Sequence, residues 1–397
     1  MWEDLPVKKE KNTVSVLDWL KEQMQDSMAL RAARDSIYEV EAKVPVIALY
    51  RTLPQSPPWH SEGSVLMDHV ERMLVALYAI AREDFSILSL DEFASIHDLE
   101  PDFYIIQDII RENFATLSAF IFLHDIGKQD TIIFNAPKGS LGASEGFFKD
   151  SKIPKNVLLD TYLKLVKVLM AEKNTDAVKT SVLFYEKYQI RVHYPRHAQL
   201  SAGEKYKKER QIISDHFRLI DRDREMLQLM IRFHIDAIDF FKNGIQPEKI
   251  DVMLARAGKR FIDGDDFLDV LAAALLLDTV FGSIEYKNGE FAVNMDPFLN
   301  FLRSEQLAVP HRANNRRIRF NKKQKDFYKS VLQKAGLELN NLFSVLNIKP
   351  GPQRGDVALL VEKIIKNEAD IKDFNFNNQD IKNKLLAARD LYFKERS

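Results

Sequence analysis

Residues 117–128 read LSAFIFLHDIGK, so His124 and Asp125 arrive at the end of an almost wholly apolar stretch, Leu117 to Leu123. Such a stretch belongs inside a protein, and a carboxylate delivered there without a partner is costly. A cation is the partner that compensates it best. Working outward from this point, His69 lies upstream and His197, His234 and Asp278 lie downstream. The ordered series of His, His-Asp, His, His and Asp turns one dipeptide into a metal-site hypothesis.

Composition narrows what the site can be. With 397 residues, 46% of them hydrophobic, the chain can bury a full core, and 14 Gly with 14 Pro lean it towards helix. The absence of Cys excludes disulfides, zinc ribbons, iron–sulfur clusters and thiol catalysis, which leaves His and carboxylate as the strong metal ligands. A net charge of −1 argues against a general polyanion binder. Residues 1–12 carry no apolar core of signal-peptide type and no apolar run approaches about 18 residues, so a soluble, cytoplasmic protein with no membrane partner is expected.

The expected fold is all-α, a helical bundle with one small β-hairpin and a C-terminal helical module. Residues 1–54 read as an N-terminal helical extension, with Ser or Asp before each helix start and a stop at LPQSPP, residues 53–58. Residues 55–311 read as the main domain, with helices expected over 65–83, 102–124, 156–170, 201–208, 222–241, 247–257 and 266–281. Ile284–Val293 reads as a hairpin on an Asn288-Gly289 turn. Residues 312–397 read as a basic linker followed by the C-terminal module. The linker carries Arg312, Arg316, Arg317, Arg319, Lys322, Lys323, Lys325 and Lys329 against one acid, Asp326.

Each candidate ligand falls on or beside a helix whose inward positions are apolar, so the six can converge in the centre of a bundle. Imidazole and carboxylate without thiolate suit one or two divalent ions of Mn, Fe, Co, Ni or Zn, or Mg where oxygens dominate. Any one of these histidines alone reads more readily as a hydrogen-bonded core or surface residue than as a ligand. Asp278, after the run Val270 to Leu277, needs a cation or several donors.

With these residues the chain resembles the HD superfamily of metal-dependent phosphohydrolases. HSEGSVLMDH at 60–69 is similar to the segment before the first histidine in the HD domains of bacterial CCA-adding tRNA nucleotidyltransferases. LNIKPGPQRGDVALLVEKII at 346–365 is similar to the helical segment after those domains. The resemblance implies His69, His124, Asp125 and Asp278 as core ligands, with His197 and His234 as the extra pair of two-metal members. It further implies a metal-activated water attacking phosphorus, with Asp125 bridging two ions. The first 55 residues are shorter than a nucleotidyltransferase domain, and no glycine-serine loop followed by paired Asp is found, so CCA addition is not expected.

Around the ligands, Lys128 is positioned to reach a phosphate oxygen in catalysis or substrate binding, or else is a solvated lysine ending a helix. His60 and Glu62 can serve as substrate-binding or proton-transfer groups, and Arg196 can bind phosphate or lie on the surface. Arg316, Arg317, Arg319 and Lys322 can follow an RNA backbone, or form a solvated face. The expected function is hydrolysis of a phosphate on a nucleotide or RNA end. An HD-type nucleotidase or alarmone hydrolase, and an RNA-binding adaptor with a structural metal, remain open beside it.

Overall fold

The computed structural model describes residues 14–334, apart from 26, 58–59, 83–84, 150 and 288, together with 383, 386 and 387. Residues through Asn314 form one compact unit and Asn315–Ser397 a second. The expected C-terminal module, with its segment at 346–365, and the turn residue Asn288 lie outside the described residues.

Short polar side chains start the helices as the sequence suggests. Ser15 accepts from the Asp18 amide at 3.1 Å and Ser27 from the Leu30 amide at 3.0 Å, opening α1 (Val16–Gln23) and α2 (Met28–Lys43). Each such cap stabilises its helix by about 1 kcal/mol. These helices share the main core and are not an appendage: Trp19 stacks on Phe85 at 4.8 Å and meets Phe281 edge-on at 5.5 Å. After a 3-10 turn at Pro45–Arg51, the proline-rich stretch makes a closed excursion. The Leu66 amide donates back to the Leu53 carbonyl at 2.8 Å, and the Gln55 amide to the Ser64 carbonyl at 3.0 Å. That closure holds His60 and Glu62 beside the start of α3 (Leu66–Ile80).

The sequence suggests one helix over 102–124, but two are found, α4 (Glu100–Glu112) and α5 (Phe114–Leu123). The break falls at Asn113, which leaves helical geometry while its side chain donates to the Ile109 carbonyl at 3.1 Å. The break frees α5 to run through the interior. Every side chain from Thr116 to Leu123 is buried, against α3 and three later helices, at roughly 1.5–3 kcal/mol for each large apolar one.

Beyond the HD turn come β1 (Ile133–Asn135), α6 (Lys155–Lys173), α7 (Ala177–Tyr188) and β2 (Arg191–His193). β1 and β2 pair antiparallel, Phe134 opposite Val192, a small sheet that the sequence did not suggest. The helix expected over 201–208 is interrupted: α8 (His197–Ala202) stops at the extended Gly203 and α9 (Lys207–His216) follows. Buried Arg210 stabilises the break by donating to the Ser201 and Gly203 carbonyls, both at 2.6 Å. Next are α10 (Asp221–Asn243), α11 (Pro247–Gly258) and α12 (Gly264–Leu275). α12 loosens into a π-helical stretch, Leu276–Gly282, a local geometry frequent at functional sites. A Cβ on Gly282 would lie 2.6 Å from Met73 Cγ and 2.7 Å from His69 Cε1, so only glycine lets this stretch sit against α3.

The expected hairpin is present as β3 (Glu285–Lys287) and β4 (Glu290–Ala292), with Gly289 at φ 88°, followed by α13 (Asp296–Ala308). The basic run is no linker but part of a helix, α14 (Pro310–Lys334). Among the described residues the fold is thus all-α with two small two-stranded sheets, and no helix is long and apolar enough to cross a membrane.

Candidate metal centre

Six side chains from five different segments meet in the core, and three of the imidazoles are oriented in the same way. His124 Nδ1 lies 3.0 Å from the Ile121 carbonyl, His197 Nδ1 2.7 Å from that of Tyr194, and His234 Nδ1 2.7 Å from that of Ile231. A carbonyl can only accept, so Nδ1 carries a proton in each, and a ring with no second proton turns a bare Nε2 lone pair inward. His69, fully buried on α3, is held instead by Glu62, whose Oε1 is 3.3 Å from its Nδ1.

Asp125 stands between the rings with its two oxygens turned different ways. Oδ1 is 3.0 Å from His197 Nε2 and 3.7 Å from His234 Nε2, whereas Oδ2 is 3.2 Å from His124 Nε2. On the far side, Asp278 Oδ1 is 3.1 Å from His69 Nε2 and 4.0 Å from His124 Nε2. Ligand atoms of His69, His124 and Asp125 lie within 4.8 Å of one another, as do those of Asp125, His197 and His234. Both buried nitrogens of His69 and Nε2 of His124 lie near carboxylate oxygens but form no well-directed hydrogen bond, and the Nε2 atoms of His197 and His234 face each other at 3.3 Å. Orphaned and opposed lone pairs of this kind fit a divalent cation.

Charge tightens the picture. Burial works against ionising Asp125, but His124 and Lys128 outweigh it and hold the carboxyl well below its usual range. Burial likewise opposes the charge on Asp278, which the surrounding histidines nonetheless hold low. Burial favours neutral His69, yet contacts with Asp278 and Glu62 raise it to about 10, while burial pushes His234 down. A metal must therefore displace a proton from His69 and none from His234 near neutrality. We expect affinity at the His69 group to rise roughly tenfold per unit between about pH 6.5 and 8.5 with one proton released. Competition titrations against a chelating dye check this, and a flat profile at both groups would refute the assignment.

The centre opens into a cavity of about 580 Å³, lined on its inner side by Asp125, Lys128, His197, His234 and Asp278. Lys128 Nζ sits 2.6 Å from Asp125 Oδ2 and 5.3 Å from the centre of the Tyr194 ring, so it is a buried site lysine and not a solvated one. Tyr194 is fixed in turn by its hydroxyl, which donates to the Pro54 carbonyl. His60 lines the cavity with Nδ1 2.9 Å from Glu62 Oε1. Glu62 is buried behind His69, and its Oε2 accepts from the Ile284 amide at 3.2 Å. Its geometry is that of a carboxylate that orients a ligand, in place of the expected proton-transfer role.

Arg196 takes the surface alternative, and among the basic residues Arg316 departs from an RNA-facing position. Arg196 is exposed and does not line the cavity; it adopts a left-handed conformation, φ 60°, that turns the chain so that His197 reaches the Tyr194 carbonyl. Of the proposed RNA-contacting residues, Arg316 is buried, while Arg317, Arg319 and Lys322 are exposed. Arg312 is spent inside an ion cluster, 2.6 Å from Glu305 and 2.7 Å from both Asp265 and Asp269.

The sequence reading missed Arg191, which β2 brings to the cavity beside His193, and Gln55, a lining residue whose buried amide has neither end partnered. The alternation in Arg-Val-His at 191–193 is a faint signal for the first, and nothing in the sequence marks the second. No protein-family model, curated protein or solved structure matches the chain.

Proposed function

We propose that the protein is an HD-type, metal-dependent phosphohydrolase or phosphodiesterase of the cytoplasm that acts on the phosphate of a nucleotide or RNA end. The observation that carries this reading is the divided carboxylate of Asp125, one oxygen towards His197 and His234 and the other towards His124, at the inner wall of an open cavity. Two divalent ions held by these groups would supply positive charge for phosphoryl oxygens and make water acidic enough to act as a nucleophile near neutral pH. Lys128 and Arg191 would bind and orient the phosphate, and Tyr194 would keep Lys128 in place. His60, anchored by Nδ1 on Glu62, would give the departing oxygen a proton from its other nitrogen. The burial of Arg312 and Arg316 favours a small nucleotide over an RNA end, since it removes two cations from the α14 face.

Nucleoside mono- and triphosphates, cyclic nucleotides and short RNA ends, each assayed with Mn, Fe, Co, Ni, Zn and Mg, provide the test. One phosphate ester class should turn over only with metal, and His124→Ala should lower that rate by more than the roughly 10–100-fold expected for a merely supporting residue. Full metal loading with no hydrolysis of any substrate would make the centre structural.

A further inference from the structure

A second cavity, of about 470 Å³, lies away from the metal centre and is lined by α8, α10, α11 and the turn after α11. Its polar lining is Gln199, Gln228, Arg232, Arg256, Lys259 and Arg260. Arg260 is neutralised by Glu225 at 2.6 Å and also reaches Gln228 Oε1 at 2.6 Å. Arg232 faces the neutral Gln199 amide, whose oxygen accepts from it at 2.9 Å when the amide is oriented to satisfy both of its ends. Among the described residues no carboxylate pairs with Arg232, Arg256 or Lys259. Four cations therefore face one acid in a concavity, where the walls concentrate their field.

Anion chemistry accounts for the charge, and the guanidinium fork matches phosphate oxygens. The remaining wall, Leu229, Phe233 and Val252, offers apolar surface that an inorganic ion would leave uncovered. The cavity is also separate from the reaction site. Gln199 follows His197 by two residues and Arg232 precedes His234 by two, so on each helix the two side chains point roughly 200° apart. We infer that this cavity is a binding site for a small organic polyphosphate, with Arg232, Arg256 and Lys259 on the phosphates and the apolar wall against the organic group.

Calorimetric titration of the full chain with the β,γ-methylene analogue of ATP, and separately with inorganic tripolyphosphate, tests the inference. The analogue should bind at one equivalent and more tightly than tripolyphosphate. Replacing two exposed residues together, Arg256→Ala with Lys259→Ala, should weaken it at least about tenfold while circular dichroism stays unchanged. Binding should persist in His124→Ala, which separates this site from the metal centre whether or not that centre is catalytic. Unchanged affinity in the double variant, loss of binding in His124→Ala, or equal affinity for tripolyphosphate would each overturn it.

Discussion

Asp125→Asn is expected to strip the protein of the two ions proposed for the centre, because two of the candidate ligand groups share this one residue and an amide cannot supply two anionic oxygens. Elemental analysis should fall from two divalent ions per chain towards none, and phosphate ester hydrolysis should disappear with them. The substitution also acts before any metal arrives. Lys128, 5% exposed, would lose the carboxylate 2.6 Å away, and orphaning one member of a buried pair costs about 3–5 kcal/mol. The metal-free variant should therefore melt well below the metal-free parent. Two ions retained per chain in a folded Asp125→Asn protein would refute the shared-carboxylate reading.

Lys128→Met should move two readouts in opposite directions. In the structure the ammonium group occupies the side of Asp125 Oδ2 that also faces His124, where it competes with a cation for the same oxygen. Its removal should tighten divalent metal binding. The phosphate, however, loses a buried positive partner, and removing a positioned group that stabilises developing charge slows turnover on the order of 10²–10³-fold. Tighter metal with slower hydrolysis identifies a phosphate-binding lysine. Weaker metal, or an unchanged rate, would mean that Lys128 only balances the charge of Asp125.

The six ligands were legible because a charged or imidazole side chain after a long apolar run has few explanations, as at Leu117–Leu123 before His124 and Val270–Leu277 before Asp278. Their supports were not. The pairing of Ile133–Asn135 with Arg191–His193 depends on contacts between distant segments, so the arrival of Arg191 at the cavity had no local cause to read. Helix starts were legible at Ser15 and Ser27, whereas the helix that Asp176 caps, Ala177–Tyr188, was not expected. Interruptions at Asn113 and Gly203 depend on tertiary hydrogen bonds or on what the following helix must bury. At the start of the basic run the pairing of Arg312 could not be read, because its partners Asp265, Asp269 and Glu305 lie on other helices.

The anchoring of the imidazoles divides the centre into parts of unequal resilience. His124, His197 and His234 each lean on a carbonyl three residues earlier in their own segment, so local backbone conformation already selects rotamer and tautomer. Little side-chain freedom is left for a metal to remove there, which keeps the entropic penalty of capture small. His69 alone takes its orientation from a distant stretch, the loop closed between Leu53 and Leu66 that carries Glu62. Loosening that loop would let one imidazole wander while the other three stay set, and a centre that holds two ions as proposed would drift to one without unfolding.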